Sequence, residues 1–169
     1  MAELSLWLDS YDDIYSDFDS RHYLKRRISE DFIDELKASM KYKTEHPDTL
    51  LLLLPAQLRN EAVEESIAFS FKKQIKERVD ALDQKARIRW NRGMSLLIAG
   101  VLTMIVESIV FYKVSPGYFT ILLRIVMEPA GWFMIWNGLD FLLYEYRSIV
   151  RGNSFYREVV AMTIHFKDE

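Results

Sequence analysis

The order of apolar and polar positions divides the chain into two kinds of sequence. Residues 94–112 (MSLLIAGVLTMIVESIVFY) carry one ionisable group in nineteen, and after a polar turn at 113–118 residues 119–143 are again mostly apolar. As helices the two runs would measure about 28 Å and about 37 Å, against a hydrocarbon core of about 30 Å, so each is long enough to cross a bilayer. Pro129 predicts a kink in the second. Elsewhere the pattern is that of a folded domain. Leu4, Leu6 and Leu8 alternate with Ser5 and Trp7, and Val160, Met162, Ile164 and Phe166 alternate with Ala161, Thr163 and His165, both as half-buried strands do. Residues 50–54 are wholly apolar between Pro47 and Pro55 and read as a central strand buried on both faces. A helix is predicted from Ser29, with Phe32, Ile33, Leu36 and Met40 as its apolar stripe and Glu30 and Asp31 suited to its dipole. A second begins near Leu58, with Ile67, Phe71, Ile75, Val79, Leu82 and Ala86 on one face and no Gly or Pro before Gly93.

Together these elements predict an α+β membrane protein. An antiparallel two-helix transmembrane hairpin, residues 93–146, is inserted between elements of a small three-stranded cytosolic α/β domain formed by residues 1–92, and residues 147–169 return a last strand to it. A second helix running unbroken into the first span would be about 80 Å long, more than three strands can cover. Part of its stripe is then expected to meet another copy or another protein, which predicts a homo-oligomer; a break at residues 91–93 would instead fold it over its own sheet.

Composition sharpens this picture. Of 169 residues 50% are hydrophobic and 28% charged, too apolar for disorder, and with no cysteine the chain has no disulfide scaffold, thiolate metal site or cysteine nucleophile. The mean hydropathy is close to zero, as in a soluble protein, because it averages two unlike regions. Charge at the flanks predicts orientation. Lys85, Arg87, Arg89 and Arg92 precede the first span, Arg147, Arg151 and Arg157 follow the second, and the turn holds only Lys113, which places both termini in the cytoplasm of an inner-membrane, multi-pass protein. Trp90 and Tyr144 inside, with Tyr112 and Tyr118 outside, fit interfacial belts. The amino-terminal residues contain no apolar signal-peptide core. Lys85, Arg87, Arg89, Arg92, Arg147 and Arg151 are the expected contacts to anionic lipid headgroups.

A register is legible in the hairpin. With the turn centred between Ser115 and Pro116, antiparallel partners sum to 231, pairing Glu107 with Arg124, Gly100 with Gly131 and Gly93 with Gly138, each set spaced by seven. Glycines so spaced let two helix backbones approach closely, with Ala86 and Val79 continuing the seam. An unpaired charge at membrane depth costs roughly 3 kcal/mol or more, so Arg124 is expected to pair with Glu107 across the hairpin and with Glu128 one turn along its own helix. Fully ionised, the three carry a net charge of −1. A protonated carboxyl, a cation, a water-filled cavity or another subunit would complete the balance. The leading functional expectation is a homo-oligomer with a small-ion or proton pathway built around Glu107, Arg124 and Glu128; the alternative is a membrane-anchored scaffold or sensor subunit whose cytosolic domain binds a protein partner, with these charges purely structural. Asp140 is expected near Arg89 or Arg92, and Trp132, Trp136 and Asn137 are expected to pack and hydrogen-bond between helices.

Two charge blocks remain. Asp9, Asp12, Asp13, Asp17 and Asp19 lack the glycine and terminal glutamate of a calcium loop, which favours a solvated face or salt-bridge partners over a divalent ion. Arg21, Lys25, Arg26 and Arg27 follow. A net charge of −3 weighs against nucleic acid as a partner. His22, His46 and His165 show no metal-ligand spacing, and no phosphate loop, zinc-protease motif or nucleophile elbow is present, so neither a metal, a cofactor nor an enzyme is predicted. Besides the bilayer and a second copy, a cytosolic protein is the remaining candidate partner.

Several motifs carry a resemblance. They are Tyr15-Ser16-Asp17-Phe18-Asp19-Ser20 with Ser29-Glu30-Asp31-Phe32 downstream, the apolar strand ending in Pro55, residues 87–93 leading into Met94-Ser95-Leu96-Leu97-Ile98, and most specifically Gly131-Trp132-Phe133-Met134-Ile135-Trp136. This last continues as Leu139-Asp140-Phe141-Leu142-Leu143-Tyr144-Glu145, with Tyr156 later. Over most of its length the chain resembles a family of uncharacterised prokaryotic two-span membrane proteins with a small cytosolic domain. It departs from that family at Asn137-Gly138, where Arg-Pro is usual. The resemblance implies the topology and no activity.

Overall fold

The computed structural model describes residues 3–19, 21, 25–42, 46–115 and 117–168. It divides into two compact units: Met1–Asp80 with Asn153–Glu169, and Ala81–Gly152.

The first unit is built on three parallel strands, β1 (Glu3–Trp7), β2 (Thr49–Leu54) and β3 (Thr163–Asp168), in the order β1-β2-β3. Leu4 lies opposite Leu50 and Leu6 opposite Leu52, while Leu50 faces Ile164 and Leu52 faces Phe166. Parallel neighbours need crossovers. The first holds helix α1 (Glu30–Lys41); the second begins with α2 (Glu61–Lys113) and ends with α4 (Arg147–Ala161), having passed through α3 (Tyr118–Asp140). Both crossovers step the same way across the sheet, and crossovers of one hand then cover the same face. Accordingly Leu4, Leu6, Leu50, Leu52 and Leu54 are buried with Phe32, Ile33 and Leu36 of α1, Ile67, Phe71 and Ile75 of α2, and Val159 of α4. The first half of the α2 stripe is thus used by its own domain, and is not left for another copy.

The other face is open. Trp7 is 52% exposed beside half-buried Leu51 and Leu53, so β2 is central but buried on one face only. All-parallel sheets usually carry helices on both faces; two crossovers of one hand leave this one bare.

Local chemistry sets the remaining boundaries. Ser29 precedes α1, whose Glu30 pairs with Arg78 of α2 at 2.6 Å. Leu58 falls in a 3-10 turn, and α2 starts at Glu61, where the Asn60 side chain accepts from the N–H groups of Ala62 and Val63. Gln74 donates to the Arg26 carbonyl at 2.6 Å and accepts from the Ile28 N–H at 3.2 Å, fixing the chain that leads into α1. The alternation beginning at Val160 does not start a strand. Helix α4 continues through Ala161, Val159 and Met162 both face the core, and β3 begins at Thr163.

In the second unit α2 is continuous through residues 91–93, so no break folds it back at that point. Helix α3 passes through Pro129 and is followed by a π-helical turn, Phe141–Tyr146, before α4. Both long helices are long and apolar enough to cross a membrane, and only 11% and 6% of the residues in their most apolar windows are buried.

Candidate functional site

Within the second unit, the buried described residues are Ala86, Gly93, Gly100 and Glu107 on α2, seven apart, and Gly131 and Gly138 on α3. A β-carbon at Gly100 would stand 2.8 Å from the Gly131 carbonyl oxygen, and one at Gly138 would stand 2.8 Å from the Gly93 carbonyl oxygen. Four of these six positions have no side chain. Backbone therefore meets backbone along the seam, as close packing of apolar helices requires.

Glu107 is the ionisable member of that row. Arg124 Nε lies 3.7 Å from its Oε1, with the glutamate side chain 9% exposed and the arginine 62% exposed. The pair forms the edge of an open cleft of about 480 Å³, lined also by Ser108, Tyr112 and Lys113. The structure brings these two charges together and leaves the third out. Glu128 is exposed on α3, and among the described residues no cation lies within 4.0 Å of it. A guanidinium that reaches across to α2 does not also lie along its own helix. The group is a pair with a separate carboxyl.

The basic residues at the other end of the apolar runs are partly committed within the chain. Arg89 bridges Glu145 at 2.9 Å, not Asp140, and the guanidiniums of Arg89 and Arg92 lie 5.6 Å and 5.0 Å from the Phe141 ring centre. The π-helical turn carries both Phe141 and Glu145. Trp90 packs on Tyr146 with ring centres 5.2 Å apart. Lys85, Arg87, Arg147 and Arg151 are exposed. The Asn137 amide donates to the Phe133 carbonyl of its own helix at 2.8 Å instead of crossing to α2, and Trp132 and Trp136 are exposed.

In the first unit a polar network that the sequence did not suggest lies at the carboxyl ends of the strands. Arg59 donates from Nε and a terminal nitrogen to the two oxygens of buried Glu64, at 2.9 Å and 2.8 Å, and to Asp168 at 2.7 Å. The Tyr11 hydroxyl donates to Glu64 at 2.9 Å and accepts from the Asn60 N–H. Arg59 holds the Glu64 carboxyl below its ordinary range against the opposing effect of burial, and the Tyr11 hydrogen bond adds to the lowering. Burial pushes the Tyr11 hydroxyl up. No spacing rule links these residues; they meet only because three parallel strands end together.

Three of the five acids in the amino-terminal block, Asp12, Asp13 and Asp19, are used as joints. Asp13 caps the 3-10 turn Tyr11–Ile14 by accepting from the N–H groups of Asp9 and Ser10. Asp12 pairs with Arg26, and buried Asp19 accepts from Arg21 and the Arg27 N–H. The Arg21 hydrogen bonds hold Asp19 far below the usual carboxylate range. Among the described residues no group of three His, Cys, Asp or Glu could hold a metal. His46 stands 3.3 Å from Glu158, and His165 is exposed on β3. His22 and Pro116 lie outside the described residues.

No protein-family model, curated protein or solved structure matches the chain.

Proposed function

We propose that the protein is a two-pass membrane anchor, without enzymatic activity, that presents a cytosolic α/β interaction module to a protein partner. Residues 94–112 and 119–143 form an antiparallel hairpin in the inner membrane, both termini are cytoplasmic, and the Glu107–Arg124 pair is structural. The observation that carries the membrane part is the low burial of the apolar helices. A core helix of a soluble protein is mostly covered, whereas here Ile98, Leu102, Ile105, Val106 and Ile109 of α2 and Ile121, Ile125, Val126 and Phe133 of α3 all stand exposed, far beyond an ordinary soluble surface. The topology implied by the resemblance to two-span prokaryotic proteins agrees with this reading. The partner part is supported by the bare sheet face, where Trp7, Leu51 and Leu53 are flanked by Ser5, His165 and Lys167.

A photo-crosslinking amino acid at position 51 in intact cells tests it. One discrete adduct of a different protein, absent when the probe sits at exposed Lys73 on the helical side, is the expected result. No adduct, or one with the mass of two copies, would remove the partner reading.

A second reading, a homo-oligomer with an ion or proton pathway, is favoured by Glu128. It lies about 13 Å along the second span with no described cation beside it. Another subunit or a water file would then supply its partner. Proteoliposome flux that Glu128→Gln abolishes, with a multimeric mass in detergent, would establish that reading over the anchor.

A further inference from the structure

The end of α3 carries a stripe unlike the apolar surface before it. Trp136, Asp140 and Tyr144 recur every fourth residue and, with Asn137, Leu139 and Leu143, line an open groove of about 400 Å³. Every lining residue lies on α3 or the π-helical turn that follows. The two rings are 64% and 71% exposed. Asp140 is exposed, and among the described residues it has no ion-pair partner. The nearest candidates by sequence reading are committed elsewhere, since Arg89 is bound to Glu145 and both Arg89 and Arg92 lie over Phe141. The Asn137 amide is turned to the Phe133 carbonyl.

The groove thus presents one carboxylate, two open aromatic faces and two leucines. A carboxylate beside aromatic rings selects a cation, because the ring faces and the charge attract it together. Leucines beside them favour a cation with apolar bulk attached. The π-helical turn, a rare conformation that is frequent at functional sites, begins at the residue after Asp140. If the apolar runs span the bilayer, the groove sits where the hydrocarbon ends and headgroups begin, the level that Trp and Tyr favour.

We propose that this groove binds the headgroup of an ammonium-bearing zwitterionic phospholipid. Asp140 accepts hydrogen bonds from the primary ammonium, Trp136 and Tyr144 flank it, and Leu139 and Leu143 lie against the acyl chain. Charge and hydrogen bonding select the occupant: a net-anionic headgroup would be repelled by Asp140, an uncharged one brings no cation, and a quaternary ammonium has no N–H to donate to the carboxylate. Lys85 and Arg87 are exposed on α2 and take no part in lining the groove. This inference rests on the membrane reading above.

The test uses the full chain reconstituted into nanodiscs containing equal amounts of phosphatidylethanolamine and phosphatidylglycerol, then extracted and weighed by native mass spectrometry. Several-fold enrichment of phosphatidylethanolamine on the wild-type protein is expected. Asp140→Asn should return it to the bulk ratio, Asp140→Glu should keep it, and Trp136→Leu should lower it, with phosphatidylglycerol retention unchanged throughout. Equal enrichment in Asp140→Asn and wild type, or none in either, would overturn the headgroup site while leaving the membrane reading intact. A two-copy mass that Asp140→Asn abolishes would assign the groove to a second copy and overturn it equally. A wild-type chain that stays in solution without detergent and fails to enter nanodiscs would instead remove the membrane reading.

Discussion

Arg124 and Glu107 form one ion pair with unequal environments. The glutamate is nearly covered and the arginine mostly free, so removing either partner leaves a different charge stranded. Breaking a buried pair from the exposed side is the costly direction, because a covered carboxylate is left without a counter-ion. Arg124→Leu is therefore expected to destabilise the protein by about 3 kcal/mol, and Glu107→Gln by less, since the exposed guanidinium, about 8 Å from the outer end of its apolar run, can extend to the headgroups. The double variant should recover much of the Arg124→Leu loss. Unfolding equilibria in mixed micelles measure all three, and equal single-variant costs would contradict the asymmetry. In the first unit, the pH dependence has a definite sign. Arg59 lowers the Glu64 carboxyl, and Arg21 with the Arg27 N–H lowers that of Asp19, so both bind protons less readily folded than unfolded. Their stabilisation is complete above the ordinary carboxylate range, about pH 4, and is lost as the pH falls through the folded values. Melting of the full chain should fall on acidification below that range. Glu64→Gln, which keeps an acceptor but cannot titrate, should show a shallower acid limb.

The helices of the second unit meet through glycines, and the glycines of this unit differ in what an added methyl group would strike. At Gly100 and Gly138 the nearest atoms include opposing backbone, the Gly131 carbonyl oxygen at 2.8 Å and the Leu97 nitrogen at 2.8 Å respectively, which can move only if the helices part. At Gly131 the obstacle is the Met104 side chain at 2.8 Å, which can adopt another rotamer. At Gly152, in α4, nothing lies within 4 Å. Alanine is expected to lower the melting temperature most at 100 and 138 and less at 131. At 152 it should leave stability unchanged or raise it by up to about 1 kcal/mol through helix propensity. Thermal unfolding in detergent should reproduce that order. The seven-residue spacing made these glycines visible in the sequence, because a seam with one repeat leaves one period. The π-helical turn and α4 left no comparable sign. The apolar positions of α4 are interrupted by Gly152 and Asn153, and its last residues, Val159 to Met162, can be read with period two as easily as with a helical face. The Arg59–Glu64–Tyr11 network was equally hidden. Its members are joined by the ends of β1 and β2, and the Asp168 contact by the end of β3, which no local pattern encodes.

At the scale of the whole molecule, 169 residues divide between a unit with a conventional apolar core and one whose apolar side chains face outward. The proposed membrane reading gives the two surfaces different solvents. Water would leave the outward side chains of α2 and α3 exposed, and hydrocarbon would strand the charges of the first unit. The two-pass reading assigns a solvent to each, and the basic flanks assign the sides. The chain has no cysteine, so each one introduced is a unique reporter that needs no background removed. Ser5 and Arg87 are exposed positions on the expected inner side, and Ser115 is an exposed position in the turn expected outside. In intact cells an impermeant maleimide should label Ser115→Cys only. After permeabilisation Ser5→Cys and Arg87→Cys should become reactive, whereas a cysteine at Leu102 should resist a water-soluble reagent in both conditions because lipid covers it. Labelling of Ser5→Cys but not Ser115→Cys in intact cells would invert the topology. Rapid labelling at 102 would mean that water reaches the middle of the first span, which would exclude a lipid-covered anchor and favour the pathway reading built on Glu128.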